Sequence, residues 1–264
     1  MVGQLNSTAL PVVERNALTD QYPAGSGTTL EPRRQFKLVL LPKADAAAFR
    51  RFSQMNSKAC PIIGMSRPGM VSLPFDRRCD IRTDAASYDV HSFGEHLDTR
   101  PEVRGIWQDD LVGFALGSAA TLDPILRAHE IRVREPWSNQ TPHYLTRFKA
   151  TPVGSFSSNL VVSMRCIDRR DLDRLRALTA QHPEAHGAPV HVGDPALLGI
   201  ANLSRPEWGL PIQIGPGEVP VFFASSLTAQ QAAAAAPIAL SITSTPGHKL
   251  LAANRAKYPA AVAA

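Results

Sequence analysis

Leu160-Val161-Val162-Ser163-Met164-Arg165, followed by Asp168-Arg169-Arg170-Asp171-Leu172-Asp173-Arg174-Leu175, decides the fold class. The first run is apolar and β-branched, which predicts a buried strand. Asp168 then serves as an N-cap, and Leu172, Leu175 and Leu178 make the apolar stripe of a helix that ends before Pro183. The same hand-over from strand to helix recurs on both sides. Upstream, Phe36–Leu41 reads as a strand stopped by Pro42, and a helix runs from a cap near Asp45 through Phe49, Phe52 and Met55 to Pro61. Ile62-Ile63-Gly64 is a short return segment, and the turn-rich stretch from Ser66 to Thr99 reads as short strands and loops. Trp107–Leu116 suits a helix, and Asp123-Pro124 opens another. Downstream, strands are expected around Pro189–Val192, Pro211–Ile214, Val219–Ala224 and Ile238–Thr243. Thr228 and Gln231 form a capping box for the alanine-rich run before Pro237. Alternation without a repeat predicts an α/β class with at least some parallel pairing.

The bulk properties narrow the function. The chain has 264 residues, 44% of them hydrophobic and 19% charged, enough for a sizeable core. Its net charge is +5, but the arginines are scattered or mixed with acids, as at 168–174. A nucleic-acid surface would want a basic stripe, so no nucleic acid is expected, and a small anion is the better use of the charge. Cys60, Cys79 and Cys166 form no C-x-x-C spacing, which fits reduced thiols in a cytoplasm. Residues 1–34 read as an irregular arm without a signal-peptide pattern, and no run reaches membrane-spanning length. Neither G-x-G-x-x-G nor G-x-x-x-x-G-K occurs, so no nucleotide cofactor is expected. A homodimer is the default assembly.

The densest chemistry lies in His186-Gly187-Ala188-Pro189-Val190-His191-Val192-Gly193-Asp194-Pro195. Imidazoles suit proton transfer near neutral pH, and a neighbouring carboxylate can hold a tautomer. The bland alternative is that Asp194 caps a turn ending at Gly199 and that a strand histidine is a satisfied core residue. Two His and one Asp are also metal-ligand types, but their spacing matches no zinc pattern, so no metal is expected. His248 follows a Pro-Gly turn. Arg82, Thr83 and Asp84 form a third candidate, with Arg82 able to fork onto a carboxylate, against the alternative of a surface turn. Arg165 stands in a buried-type strand, where a guanidinium needs a partner or a ligand anion. Tyr144 and Ser163 could donate to an oxyanion, and Cys60 before Pro61 reads as an inert core thiol.

Several ordered blocks together carry a resemblance. They are Cys60-Pro61-Ile62-Ile63-Gly64, Asp80-Ile81-Arg82-Thr83-Asp84, Trp107 with Asp110-Leu111-Val112, Val161–Arg165, His186–Pro195, Gly217–Phe222 and Pro246-Gly247-His248. In that order the chain resembles the hydro-lyase family that includes D-glutamate cyclase. The resemblance implies a three-layer α/β/α unit over 35–139 and 216–264, with a smaller α/β subdomain over 140–215. It implies loss of water from D-glutamate to give 5-oxo-D-proline, with a small amino or carboxylic acid as the partner and no cofactor. His186, His191 and His248, with Asp194, are then candidates for the acid–base groups. Arg82, Asp84, Arg165, Ser163, Tyr144 and Lys37 are candidates for substrate binding.

The chain also departs from the family pattern. Gly117-Ser118-Ala119-Ala120-Thr121-Leu122-Asp123 stands where the family usually has Gly-Cys-Ser-Phe-Ser-Phe-Glu. Tyr144-Leu145-Thr146-Arg147 replaces Tyr-Arg-Thr-Asn, and Phe223-Ala224-Ser225-Ser226 replaces Trp-Ala-Cys-Gly. Lys37 occupies an asparagine position and Lys249 a methionine position. If these positions line the pocket, the acid it takes differs from D-glutamate; the alternative is a catalytically silent relative that binds a small acid or a partner protein.

Overall fold

The computed structural model describes residues 35–134, 140–247 and 250–251. In chain order the elements are β1 (Gln35–Pro42), α1 (Lys43–Met55), β2 (Ile62–Met65), β3 (Tyr88–Ser92), β4 (Glu95–Arg100), β5 (Leu111–Gly117) and α2 (Leu122–Ala128). They continue with β6 (His143–Lys149), β7 (Asn159–Asp168), α3 (Leu172–Ala180), β8 (His191–Val192), β9 (Glu218–Ala224), α4 (Leu227–Ala234), β10 (Ser241–Ser244) and β11 (Leu250–Leu251). The class is α/β, and the strands form two sheets. One runs β2-β5-β1-β10-β3-β4 with β11 on β1, and the other runs β6-β7-β9-β8. The second sheet takes β9 from beyond residue 215, past the expected end of the smaller subdomain.

Among the described residues every named strand pair is antiparallel, which corrects the expected parallel pairing. Alternation of strands and helices is a local property; strand direction depends on where long connections return. A second correction concerns Trp107–Leu116, expected in a helix, most of which falls in the strand Leu111–Gly117. It is β5, buried at every position between β2 and β1. A strand covered on both faces loses its polar alternation and cannot be told from a buried helix by period alone. The segment around Pro211–Ile214 forms no strand. The helix ends shift too. α1 starts behind Pro42 with Asp45 in its first turn, and α4 starts at Leu227 because the Thr228 hydroxyl accepts from Val161 N (2.9 Å) and leaves the cap unmade.

Alternation along β1 splits the core. Val39 and Leu41 join Phe49 and Phe52 of α1 and the alanines of α4, while Phe36, Leu38 and Leu40 face Leu73, Ile81 and Tyr88 on the opposite side. The small face of α4 explains its alanine run, which lets the helix lie close to the sheet. In the second sheet, Val221 and Phe223 pack with Leu122, Leu126 and Leu175 of α2 and α3, whereas Met164 and Phe222 meet Leu198, Ile200 and Ile212 on the reverse face. This two-faced arrangement dictates which side chains reach the site. Among the described residues no helix is long and apolar enough to cross a membrane.

Candidate active site

Where the ends of the two sheets meet lies a cavity of about 200 Å³ lined by polar groups from distant parts of the chain. That volume falls below the roughly 300–1,000 Å³ of drug-sized sites and suits a small metabolite. Lys37 comes from β1, on the same face as Val39 and Leu41. Ser118, Ala119 and Ala120 follow β5; Ser163 and Arg165 come from β7; Ser225 and Ser226 stand between β9 and α4; Pro246 and Gly247 follow β10. His186 enters from a turn, and Gln140, Thr141, His143, Trp208 and Gly209 close one wall.

Arg165 is 3% exposed. Its Nε and Nη2 donate to one carboxylate oxygen of Asp123 (3.0 and 2.8 Å), and Nη2 also reaches the Ala119 carbonyl at 3.0 Å. The ring of Phe223 lies beneath the guanidinium, 5.3 Å from Cζ. Nη1 is the nitrogen turned toward the Ser163 hydroxyl, at 3.4 Å. A buried arginine held this firmly presents an oriented positive group to the cavity while its carboxylate partner offsets the cost of burying it. Asp123 therefore acts as an ion-pair partner rather than the expected helix cap.

His186 is 1% exposed and stands at φ +75°, in the left-handed region, followed by Gly187 at +64°. These two residues end the short helical turn at Pro183–Ala185 and swing the imidazole inward. The turn lies so close to the end of β5 that a Cβ on Gly117 would sit 1.7 Å from the Glu184 carbonyl oxygen. Nδ1 of His186 donates to the Lys58 carbonyl at 2.8 Å, so Nε2 is the proton-accepting nitrogen of the neutral ring. Nε2 lies 3.4 Å from the Ser226 hydroxyl, which itself donates to the Gly117 carbonyl. Burial lowers the pKa of His186 to about 4. The charges of Arg165 and Lys37 push the same way, and the carbonyls of Lys58 and Gly117 oppose them. The ring is thus neutral at pH 7 and placed to take a proton.

Of the residues expected from sequence, His186, Arg165, Ser163 and Lys37 share this cavity. The others lie elsewhere. His191 pairs in register with Phe222, whereas Ser163 pairs with Phe223, so His191 belongs to the opposite face of the second sheet. Its Nε2 bonds the Asp194 carbonyl at 2.8 Å, and the Asp194 carboxylate caps the following turn through Ala196 N at 2.9 Å. Tyr144 also faces away, its hydroxyl donating to the Leu203 carbonyl at 2.7 Å. Arg82 is paired with Asp80 (2.9 and 2.8 Å), and Asp84 accepts from Asp80 N and the Thr83 hydroxyl, a self-contained surface turn. His248 and Lys249 lie outside the described residues, next to Gly247 of the lining. Among the described residues no cluster of three or more His, Cys, Asp or Glu side chains is disposed to hold a metal ion. Sequence reasoning missed His143 and Trp208. The strand parity that places Ser163 inside also places His143 there, but Tyr144 drew attention as the chemically richer neighbour.

Comparison with known proteins identifies the family of the chain. The family model described as D-glutamate cyclase matches residues 112–253, a span containing Arg165, His186 and Ser226. A protein named "Putative hydro-lyase" from Bordetella pertussis is 43% identical over 82% of this chain and 79% of its own length. Like-named proteins from Methylobacterium radiotolerans and Rhodopseudomonas palustris are 42% and 41% identical, each over 82% of this chain and 81% and 80% of their own lengths. A solved nitrogen repressor-like protein from Methanococcus jannaschii covers 86% of this chain and 88% of its own at 8% identity, with a TM-score of 0.41, too distant to inform the site. Identity of this order over four-fifths of the sequence places the chain in the D-glutamate cyclase family.

Proposed function

We propose that the protein is a carbon–oxygen lyase that removes water from a small anionic amino or carboxylic acid bound in this cavity. The observation that carries the reading is the buried pair of Arg165, locked by Asp123, and neutral His186 on one small cavity. Arg165 and Lys37 hold carboxylate oxygens, His186 Nε2 takes the proton given up by the attacking or eliminated group, and Ser163 donates to the oxygen on which charge develops. For the family's default reaction, the α-amine of D-glutamate attacks its own γ-carboxyl carbon. The C–N bond forms, a C–O bond breaks, and water leaves with 5-oxo-D-proline.

A finer reading is that the preferred acid is not D-glutamate. Lys37, Ser118, Ala119, Ala120, Ser225 and Ser226 all line the cavity, and all stand where the chain departs from the family's sequence pattern. An aromatic position has become alanine and an amide position a lysine, which favours a bulkier or more anionic acid. Mass-spectrometric detection of water loss from D-glutamate and from a panel of small amino and hydroxy diacids tests both readings, with His186→Asn as the inactive reference. Turnover of at least one acid, lost in the variant, is the expected result. A folded wild-type protein that dehydrates none of them would sink the lyase reading, and D-glutamate as the fastest substrate would sink the finer one.

A further inference from the structure

We infer that His143 is a second acid–base residue of this cavity, working across the bound acid from His186; the inference rests on the cavity being the reaction site. His143 lines the cavity and stands directly opposite Ser163 in the β6–β7 ladder. Side chains so paired lie on one face, about 5 Å apart at Cβ. Ser163 in turn meets Nη1 of Arg165. His143, Ser163 and Arg165 therefore make one polar strip, and an acid anchored on Arg165 is brought alongside the imidazole.

The ring is prepared for proton transfer in the same way as His186. Its Nδ1 donates to the Thr141 carbonyl at 2.8 Å. A carbonyl can only accept, so Nδ1 keeps its hydrogen and Nε2 is the nitrogen that gains and loses a proton. The backbone is held as well: His143 N donates to the Trp208 carbonyl at 2.8 Å, and Glu207 N donates back to the His143 carbonyl at 3.0 Å. The two histidines differ in burial. His186 is enclosed and neutral, whereas His143 is half-buried on a wall strand and can exchange protons with solvent. From the neutral amine and the protonated γ-carboxyl group, dehydration needs one proton removed and one delivered. His186 Nε2 takes the proton released by the attacking amine, His143 as imidazolium gives its Nε2 proton to the departing hydroxide, and water leaves. The two rings end with their protonation exchanged, and the proton returns from His186 to His143 through water in the emptied cavity that both line.

The test uses the full chain, the same diacid panel and the variants His143→Ala and His143→Gln, the latter keeping a donor for Thr141. On any acid that the wild type dehydrates, both variants should lose about a hundredfold or more in kcat, within the usual range for a general acid. Thermal stabilisation by that acid should persist, and free imidazole should restore part of the His143→Ala rate. Turnover within threefold of wild type, or a loss that appears only in KM, overturns the role of His143 while leaving the lyase reading intact. A wild type that dehydrates nothing overturns both.

Discussion

Acidification should unfold this protein partly through His186. An ordinary imidazole titrates near pH 6.5, but burial, reinforced by Arg165 and Lys37, holds the folded-state value at about 4. Between those pH values the unfolded chain binds a proton that the folded chain refuses. The folded state is therefore penalised as pH falls through that window, and the stability tied to the neutral ring is intact above it. At 1.36 kcal/mol per pKa unit the full penalty is about 3 kcal/mol, of which about 2 kcal/mol is reached by pH 5. His186→Asn is the right comparison, because asparagine tolerates φ near +75° and its carboxamide can still donate to the Lys58 carbonyl. Urea unfolding followed by tryptophan fluorescence from pH 8 to pH 5 supplies the free energies. Other titrating groups, including His91, whose pKa burial also lowers, remain in both proteins and cancel. The wild type should lose about 2 kcal/mol more than the variant across that range. Parallel curves would mean that the imidazole is solvated or charged in the folded state, and the assignment of a neutral buried base would fail.

Gly117→Ala should cost about 3 kcal/mol or more and remove activity, because its Cβ would overlap the Glu184 carbonyl and displace the turn that carries His186; a Tm within two degrees of wild type, with activity kept, would contradict that packing. The thiols of Cys60 and Cys79 are pushed up to about 12 and that of Cys166 to about 11, chiefly by burial, and all three are buried. A colorimetric disulfide reagent at pH 8 should find no reactive thiol in the folded protein and three after denaturation, whereas rapid modification of folded protein would show that one of them is accessible.

Much of the local framework was legible without coordinates. Predominantly apolar runs marked β1 and β7, the leucine stripe marked α3, and Cys60 read as a core thiol. Arg165 was legible for an electrostatic reason: a guanidinium in a buried-type strand requires a counter-charge, which Asp123 provides. The weaknesses have equally specific causes. Nothing in the period of Leu111–Gly117 separates a strand buried on both faces from a buried helix. Local grammar favoured His191 and Asp194 because they lie in a dense, turn-rich block, but their hydrogen bonds are spent on each other's turn.

By itself the sequence determined the α/β class, the strand that carries Arg165 with the helix that follows it, and the presence of a histidine-bearing turn near residue 186. These depend on side-chain period, capping and burial cost, which act over a few residues. Only the tertiary structure decided that His186, Arg165, Ser163 and Lys37 converge, that His143 joins them, and that His191 and Tyr144 do not. The reason is parity in the second sheet. Successive strand residues point to opposite faces, so the register of β6, β7 and β9 assigns each side chain to the cavity or to the reverse core. Register is set by hydrogen bonds between residues 10 to 62 positions apart, which no local pattern encodes.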